Sequence, residues 1–343
     1  MKAMLLEQIS HVQAGSSPLR LADLPVPEPA PGEVLVKISA CGVCHTELDE
    51  IEGRTPPPLF PIIPGHQIVG TVEQVGDNVA GHRVGQRVGI AWIYSSCGTC
   101  SWCRSGDENL CPEFRATGRD VHGGYAEYVT VPQDFAFPIP HQYGDIEVAP
   151  LLCAGAIGYR SLRLTQTVDG DAVGLMGFGA SAHLVLKMIN ATLPCTRTYV
   201  FARNPAERAF ARELGAVWAG DISDRSPEQL QSIIDTTPAW KPILESLKNL
   251  QPGGRLVINA IRKEETDKSI LEEIDYPSQL WMEKEIKSVA NVAKRDVSEF
   301  LELAASIAIR PEVQCFELHQ ANIALTELKA GKIRGAKVLV VNP

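Results

Sequence analysis

Along the first 150 residues, apolar and polar positions alternate in short runs such as "EVLVKISA" and "IVGTVEQVG", each bounded by Gly or Pro. A period of two with turn residues at its ends predicts short strands. From about Asp171 to Asn291 the pattern changes: apolar runs ("AVGLMGF", "TYVFA") alternate with stretches of helical character ("SAHLVLKMINA", "AERAFARELGA"). Strand, helix and strand in that order predict a parallel sheet with helices on its faces. Near the end, "SEFLELAASIA" and "ALTELKAGK" read as helices, and "AKVLVV" as a last strand returning to the first lobe. No internal repeat or low-complexity segment interrupts the chain. Its 343 residues suit two domains.

Composition narrows the class. Hydrophobic residues make up 45% and charged residues 21%, ordinary for a globular protein, and no segment approaches the roughly 20 apolar residues that a membrane span needs. The N-terminus, "MKAMLLEQISHVQ", is too polar for a signal-peptide core and has no small-residue cleavage site, so a cytoplasmic protein with no membrane partner is expected. A net charge of −9, without a basic run interleaved with aromatics, disfavours nucleic acid. Nine cysteines in a cytoplasmic chain point to metal binding more than to disulfides.

The densest cluster is "CGTCSWCRSGDENLC", with Cys97, Cys100, Cys103 and Cys111 spaced C-x2-C-x2-C-x7-C. Gly98 and Gly106 allow turns sharp enough to bring the sulfurs together. Four thiolates fill the tetrahedral shell of Zn²⁺ and leave no position for chemistry, so the site reads as structural. An iron–sulfur cluster uses the same residue type, although a closing gap of seven differs from the ferredoxin patterns. Further metal-capable residues lie in "CGVCHTELDEIEG", "PGHQIVG" and "LLCAG". One His and two Cys would leave zinc's fourth position open, as catalytic sites do. Spacing alone does not select them, because a single His or Cys on an apolar strand also serves as a packed core residue.

The segment "GLMGFGASAH" follows an apolar run and opens a helix, as a dinucleotide-binding fingerprint does: Gly177 for the tight turn, Gly179 for close approach of backbone to pyrophosphate, Ala182 for close packing. The phosphates would sit at the helix N-terminus, where free N–H groups favour anions. At the end of the next strand an NAD site normally offers Asp or Glu to the ribose; this chain has Ala202 and then Arg203, with Arg208 on the following helix. Loss of the carboxylate and gain of a guanidinium suit a 2′-phosphate, so NADP(H) is favoured over NAD(H). Asn204, followed by Pro205 and Glu207, also reads as a helix cap.

Taken in order, "CGVCHTEL", "PGHQIVG", the four-cysteine lobe, "GGYAEY", "LLCAG", "GFGASAH" and "LKAGKIRG" resemble the zinc-dependent alcohol dehydrogenase family of the medium-chain dehydrogenase/reductase superfamily. The resemblance implies an α/β fold: a GroES-like β-rich catalytic domain over residues 1–153, with a structural-zinc lobe at about 95–112, a Rossmann domain of parallel sheet over 154–291, and a return to the catalytic domain over 292–343. It implies two Zn²⁺ per chain, the catalytic one on Cys44, His66 and Cys153 and the structural one on the four clustered cysteines. Cys41 is then a neighbouring non-ligand, and Cys195 and Cys315 are expected to be packing residues.

The family reaction transfers hydride between an alcohol or aldehyde and a nicotinamide. By the same resemblance, Thr46 accepts the alcohol proton and His45 lies near the cofactor pyrophosphate. The chain departs from the family pattern at several positions. Glu47 replaces an Asp that orients the histidine ligand, Asp49 replaces a His of the proton relay, Gln67 replaces the Glu of "GHE", and Ile157 stands where relatives often have Thr. A small-molecule primary alcohol or aldehyde is the expected substrate and a homo-oligomer, dimer or tetramer, the expected assembly. Trp92, Ile93, Tyr94 and Leu59 are candidates for the pocket or for the core. The competing reading is a zinc-containing nucleotide-binding regulatory or nucleic-acid-binding protein without catalysis.

Overall fold

The computed structural model describes residues 1–332 and 335–342. The end of "LKAGKIRG" includes Ile333 and Arg334, which lie outside the described residues. The chain forms two compact units, Met1–Ala156 with Val292–Pro343, and Ile157–Asn291.

In the first unit, β1 (Glu33–Val43), β2 (Gln67–Val75) and β3 (Arg87–Ile90) are consecutive antiparallel neighbours. The sheet continues beyond β3 with Phe137–Pro138 and beyond β1 with Ala336–Val340 and then Val313–Glu317; Tyr128–Pro132 also pairs with β1. The late strand thus lies antiparallel beside β1, as the apolar run "AKVLVV" predicts. Most of β1 is buried, including Val34, Leu35, Val36, Ile38 and Ala40. That pattern departs from simple two-faced alternation, and the pairing with β2 shifts register between Leu35 and Val36 and between Ile38 and Ala40.

Helix α1 (His45–Ile51) leaves β1 directly. Its start is built by Cys44, whose backbone N–H donates to Glu47 Oε2 at 2.8 Å while its Sγ accepts from the Thr46 N–H at 3.4 Å. This reciprocal capping satisfies donors that the first turn would otherwise leave orphaned.

The second unit has six parallel strands: β4 (Ala172–Met176), β5 (Arg197–Phe201), β6 (Trp218–Gly220), β7 (Leu230–Asp235), β8 (Leu250–Ile258) and β9 (Glu285–Ser288). Their spatial order is β6-β5-β4-β7-β8-β9. The order reverses between β4 and β7, and in such sheets ligands bind outside the carboxyl ends of the strands at the reversal. β4 is buried along its whole length, and Met176, Phe201, Leu230, Ile233 and Leu256 belong to one apolar cluster. Strands covered on both faces read in sequence as unbroken apolar runs, which is why "AVGLM" shows no alternation.

Among the described residues no helix is long and apolar enough to cross a membrane. Cys195 and Cys315 are exposed, which corrects their assignment to packing. Cys195 lies in the loop before β5, where its backbone N–H binds Asp169 Oδ1 at 2.7 Å, and Cys315 lies on Val313–Glu317 at the sheet's edge, where only Phe316 is buried.

Candidate functional site

Three sequence-distant donors meet in the first unit. Cys44 caps α1, His66 immediately precedes β2, and Cys153 ends the short helical turn Ala149–Leu152, which Leu151 and Leu152 anchor in the core. Their ligand atoms all lie within 4.8 Å of one another. Cys44 Sγ stands 3.6 Å from His66 Nε2. A tetrahedral zinc ion with ordinary bond lengths separates a sulfur and a nitrogen ligand by about 3.5 Å, so the donor atoms fit such an ion.

Gly65 determines how His66 reaches this place. Its φ of +99° lies in the left-handed region, and a Cβ there would stand 2.4 Å from the Tyr125 ring, so no other residue type fits the approach. On its far side the His66 ring meets Glu47: Nδ1 is 2.6 Å from Glu47 Oε1, both side chains being buried. A carboxylate on Nδ1 fixes the tautomer and aims Nε2 at the donor cluster. Burial works against a charged imidazole, but Glu47 and Cys44 outweigh it and hold His66 well above its ordinary pKa. The hydrogen bond with Cys153 and burial push the Cys44 thiol upward in turn.

The surrounding residues take definite places. Cys41 is fully buried on β1 and is not among the clustered donors. Gln67 is buried on β2 opposite Gly42 of β1, where a Cβ would come within 2.7 Å of the glutamine side chain. His45 is exposed and Thr46 half-buried in the first turn of α1. Asp49 accepts from Arg54 Nε at 2.6 Å. Ile93 and Tyr94 belong to the core, Tyr94 donating to Glu33 Oε1 at 2.8 Å, whereas Trp92 is half-buried and Leu59 is 74% exposed.

Sequence reasoning passed over Glu50. It is buried, with Glu47, His66, Arg119 and Trp92 as the side chains that act on its carboxyl. Burial and the neighbouring Glu47 charge hold its carboxyl well above the usual carboxylate range. The run "ELDEIE" offered a signal, since four acidic residues on one short helix and its C-cap ask where each finds a partner; as a pattern it reads as a solvated face.

The second donor set is Cys97, Cys100, Cys103 and Cys111, also within 4.8 Å of one another. Gly98 and Gly106 both have positive φ, as the turn reading requires. Sγ separations of 3.9 Å between Cys97 and Cys103 and 3.5 Å between Cys100 and Cys103 bracket the roughly 3.8 Å of two sulfurs on one tetrahedral zinc. N–H groups of Thr99 and Cys100 and the Thr99 hydroxyl lower the Cys97 pKa to about 6, while burial raises Cys111 to about 11. The lobe is tied to the helix Lys294–Ser306 by Arg295 Nη2 on Asp107 Oδ1 at 2.6 Å and by the Lys294–Glu108 pair at 3.8 Å.

In the second unit, Gly177 follows β4 with φ +82°, and a Cβ there would meet Thr236 Oγ1 at 2.8 Å. Gly179 caps α2 (Ala180–Thr192), and a Cβ on it would enter open space; Ala182 is fully buried. The arrangement is a bare helix N-terminus beside the strand-order reversal, the form of a phosphate cradle. Ala202, just past β5, is buried and Arg203 is exposed. Asn204 does cap α3 (Pro205–Glu213), accepting from the Ala206 N–H at 2.9 Å. Arg208 Nη1 turns back on the chain, to Ala202 O at 2.7 Å and Arg203 O at 3.1 Å.

Comparison with known proteins gives a consistent result. Residues 30–141 match the alcohol dehydrogenase GroES-like domain. The chain is 42% identical over 331 residues to a probable alcohol dehydrogenase AdhA of Mycobacterium tuberculosis (strain CDC 1551 / Oshkosh), covering 95% of this chain and 94% of that protein. It is 33% identical to an alcohol dehydrogenase of Geobacillus stearothermophilus, covering 94% and 95%. The structure of CAD from Helicobacter pylori, complexed with NADP(H), shares the fold with a TM-score of 0.85 at 22% identity, covering 99% of this chain and 97% of that one.

Proposed function

The chain belongs to the zinc-dependent alcohol dehydrogenase family of the medium-chain dehydrogenase/reductase superfamily, oxidoreductases of alcohols and aldehydes, and we propose that it interconverts primary alcohols, aliphatic or aromatic, and their aldehydes with NADP(H). The observation that carries the metal part of this reading is the convergence of Cys44, His66 and Cys153, three donors where zinc takes four. Cys97, Cys100, Cys103 and Cys111 would hold a second, structural zinc.

Zinc in the three-donor site would supply Lewis-acid stabilisation of negative charge on the substrate oxygen, as the hydride passes between the substrate carbon and the nicotinamide. Glu47 keeps the proton on His66 Nδ1 and so keeps Nε2 turned toward the site. The Thr46 hydroxyl takes the proton of the substrate alcohol, its backbone being fixed by the N–H bond to Cys44. Beyond Thr46 the path differs from that of relatives with a His at position 49, because Asp49 is bound to Arg54. Gln67 leaves the buried wall beside His66 neutral at its position, which favours either slower exchange of ligands or a more electrophilic site.

For the cofactor, Gly177, Gly179 and Ala182 would seat the pyrophosphate at the start of α2. Arg203, exposed where an NAD site normally has a carboxylate, supports the preference for a 2′-phosphate. We place the protein in the cytoplasm, where its nine free cysteines stay reduced. A homo-oligomer is supported by β9, a sheet-edge strand with all four residues exposed, beside exposed Trp281 and Met282.

The deciding experiment pairs metal analysis with direct fluorescence titration of NADPH and NADH. Two zinc ions per chain and tighter NADPH binding are expected, followed by NADPH-dependent reduction in an aldehyde screen. Failure to bind either nucleotide would overturn the enzymatic reading, and tighter NADH binding would overturn the assignment of Arg203.

A further inference from the structure

The turn from β5 into α3 carries two carbonyls that α3 cannot reach. The N–H of Ala202 is bound to Gly220 O at 2.9 Å, which fixes the strand end against β6. The carbonyls of Ala202 and Arg203 then point to a single donor, Arg208 Nη1, at 2.7 and 3.1 Å. The same nitrogen lies 3.3 Å from Oδ2 of Asp221, a half-exposed carboxylate immediately after β6. Arg208 therefore spends one end of its guanidinium on the backbone around Arg203 and on the acid beside it.

From this geometry we propose that Arg208 is a positioning residue for recognition of the cofactor's 2′-phosphate: it fixes the turn that presents Arg203, and it masks the Asp221 charge that would repel the phosphate. The inference rests on the NADP(H) reading and assigns Arg208 a different part in it, since the sequence alone suggests direct help at the phosphate. Two physical effects support it. A turn held through two carbonyls places the next side chain in fewer conformations, which lowers the ordering cost of binding. A 2′-phosphate carries close to two negative charges, so an uncompensated carboxylate on the adjoining strand end acts on it strongly, whereas NADH has only hydroxyls there. Glu207, an acid on which the Arg203 charge acts, is shifted by burial toward its neutral form, and Asp224 is engaged by the Asp221 N–H at 2.7 Å.

The test is fluorescence titration of the full chain with NADPH and with NADH, together with thermal melting, for the wild type, Arg203→Ala, Arg208→Met, Asp221→Asn and the double variant Arg208→Met/Asp221→Asn. Wild type should favour NADPH. Arg208→Met should weaken NADPH by about tenfold, the equivalent of one charge-assisted contact, and NADH by less than about twofold. Adding Asp221→Asn should recover a large part of the loss, which a role confined to folding would not allow. NADPH affinity unchanged in Arg208→Met, in a protein whose wild type prefers NADPH, overturns the inference and leaves the cofactor reading standing. Wild-type preference for NADH overturns both. If Arg208→Met does not fold, Asp221→Asn alone decides the masking role: NADPH affinity within about twofold of wild type, the charge being already masked by Arg208, supports it, and clearly tighter NADPH overturns it.

Discussion

Glu47 shows how much one carboxylate settles in this molecule. One oxygen caps α1 through the Cys44 N–H and the other holds His66 Nδ1, so helix start and donor orientation depend on the same side chain. Its extra methylene relative to the family Asp is absorbed without losing either contact. Glu47→Gln keeps the shape but weakens both bonds, and metal retention at the three-donor site should fall by about 10–100-fold, read as zinc content after dialysis against a graded chelator. Glu52 is a second case, at the end of α1. Its desolvation is outweighed by bonds from Lys329, the Val12 N–H at 3.0 Å and Arg54, which bring its pKa to about 2. Because the folded value is depressed from the ordinary 4.5, Glu52 contributes stability fully above about pH 4.5 and loses it as pH falls toward 2. Glu52→Gln should therefore lower stability at pH 7 by about 1–2 kcal/mol after allowance for its partly exposed partners, with the difference vanishing near pH 2 in denaturant titrations.

At the scale of elements, the β4–α2 junction separates folding from binding. Gly177 has positive φ and no room for a Cβ, so Gly177→Ala should destabilise the second unit by about 1–3 kcal/mol and lower its melting temperature. Gly179 has ordinary backbone angles and open space before it. Gly179→Val should leave the melting temperature within a few degrees and still weaken NADPH, because the added side chain occupies the place proposed for pyrophosphate. If nucleotide titration shows no loss in Gly179→Val, the cradle is not where the cofactor binds. The cysteine lobe works differently, since its two ion pairs to Lys294–Ser306 hold it only from outside. Its small core leaves the metal to organise it, so Cys103→Ser should cost one zinc equivalent and lower the melting temperature, checked by metal analysis and calorimetry.

On the scale of the whole molecule, the outer edge of β9 is an exposed surface. An exposed edge strand that carries Ile286, with exposed Trp281 and Met282 just before it, is an invitation to pair with another chain. Placing a charge there, as in Ile286→Lys, should shift the protein toward smaller assemblies, measured by sedimentation or light scattering. An unchanged mass would remove this edge as the assembly surface. The net charge of −9 acts over the same scale and favours solubility without selecting a partner.

The sequence by itself determined the two-lobed plan, because hydrophobic periodicity is local and survives without coordinates: "AVGLM" had to be a buried strand, and "GFGASAH" had to leave it through a turn. It also determined the four-cysteine donor set, whose members lie within fifteen residues and meet in one lobe. What only the tertiary structure decided was non-local. Cys44, His66 and Cys153 are separated by up to 109 positions along the chain, and no spacing rule brings them within 4.8 Å; the family resemblance selected them and the fold assembled them. Burial decided the rest, placing Tyr94 and Glu50 in the interior and Cys195 and Cys315 at the surface, because which face of an element is covered depends on elements that arrive from elsewhere in the chain.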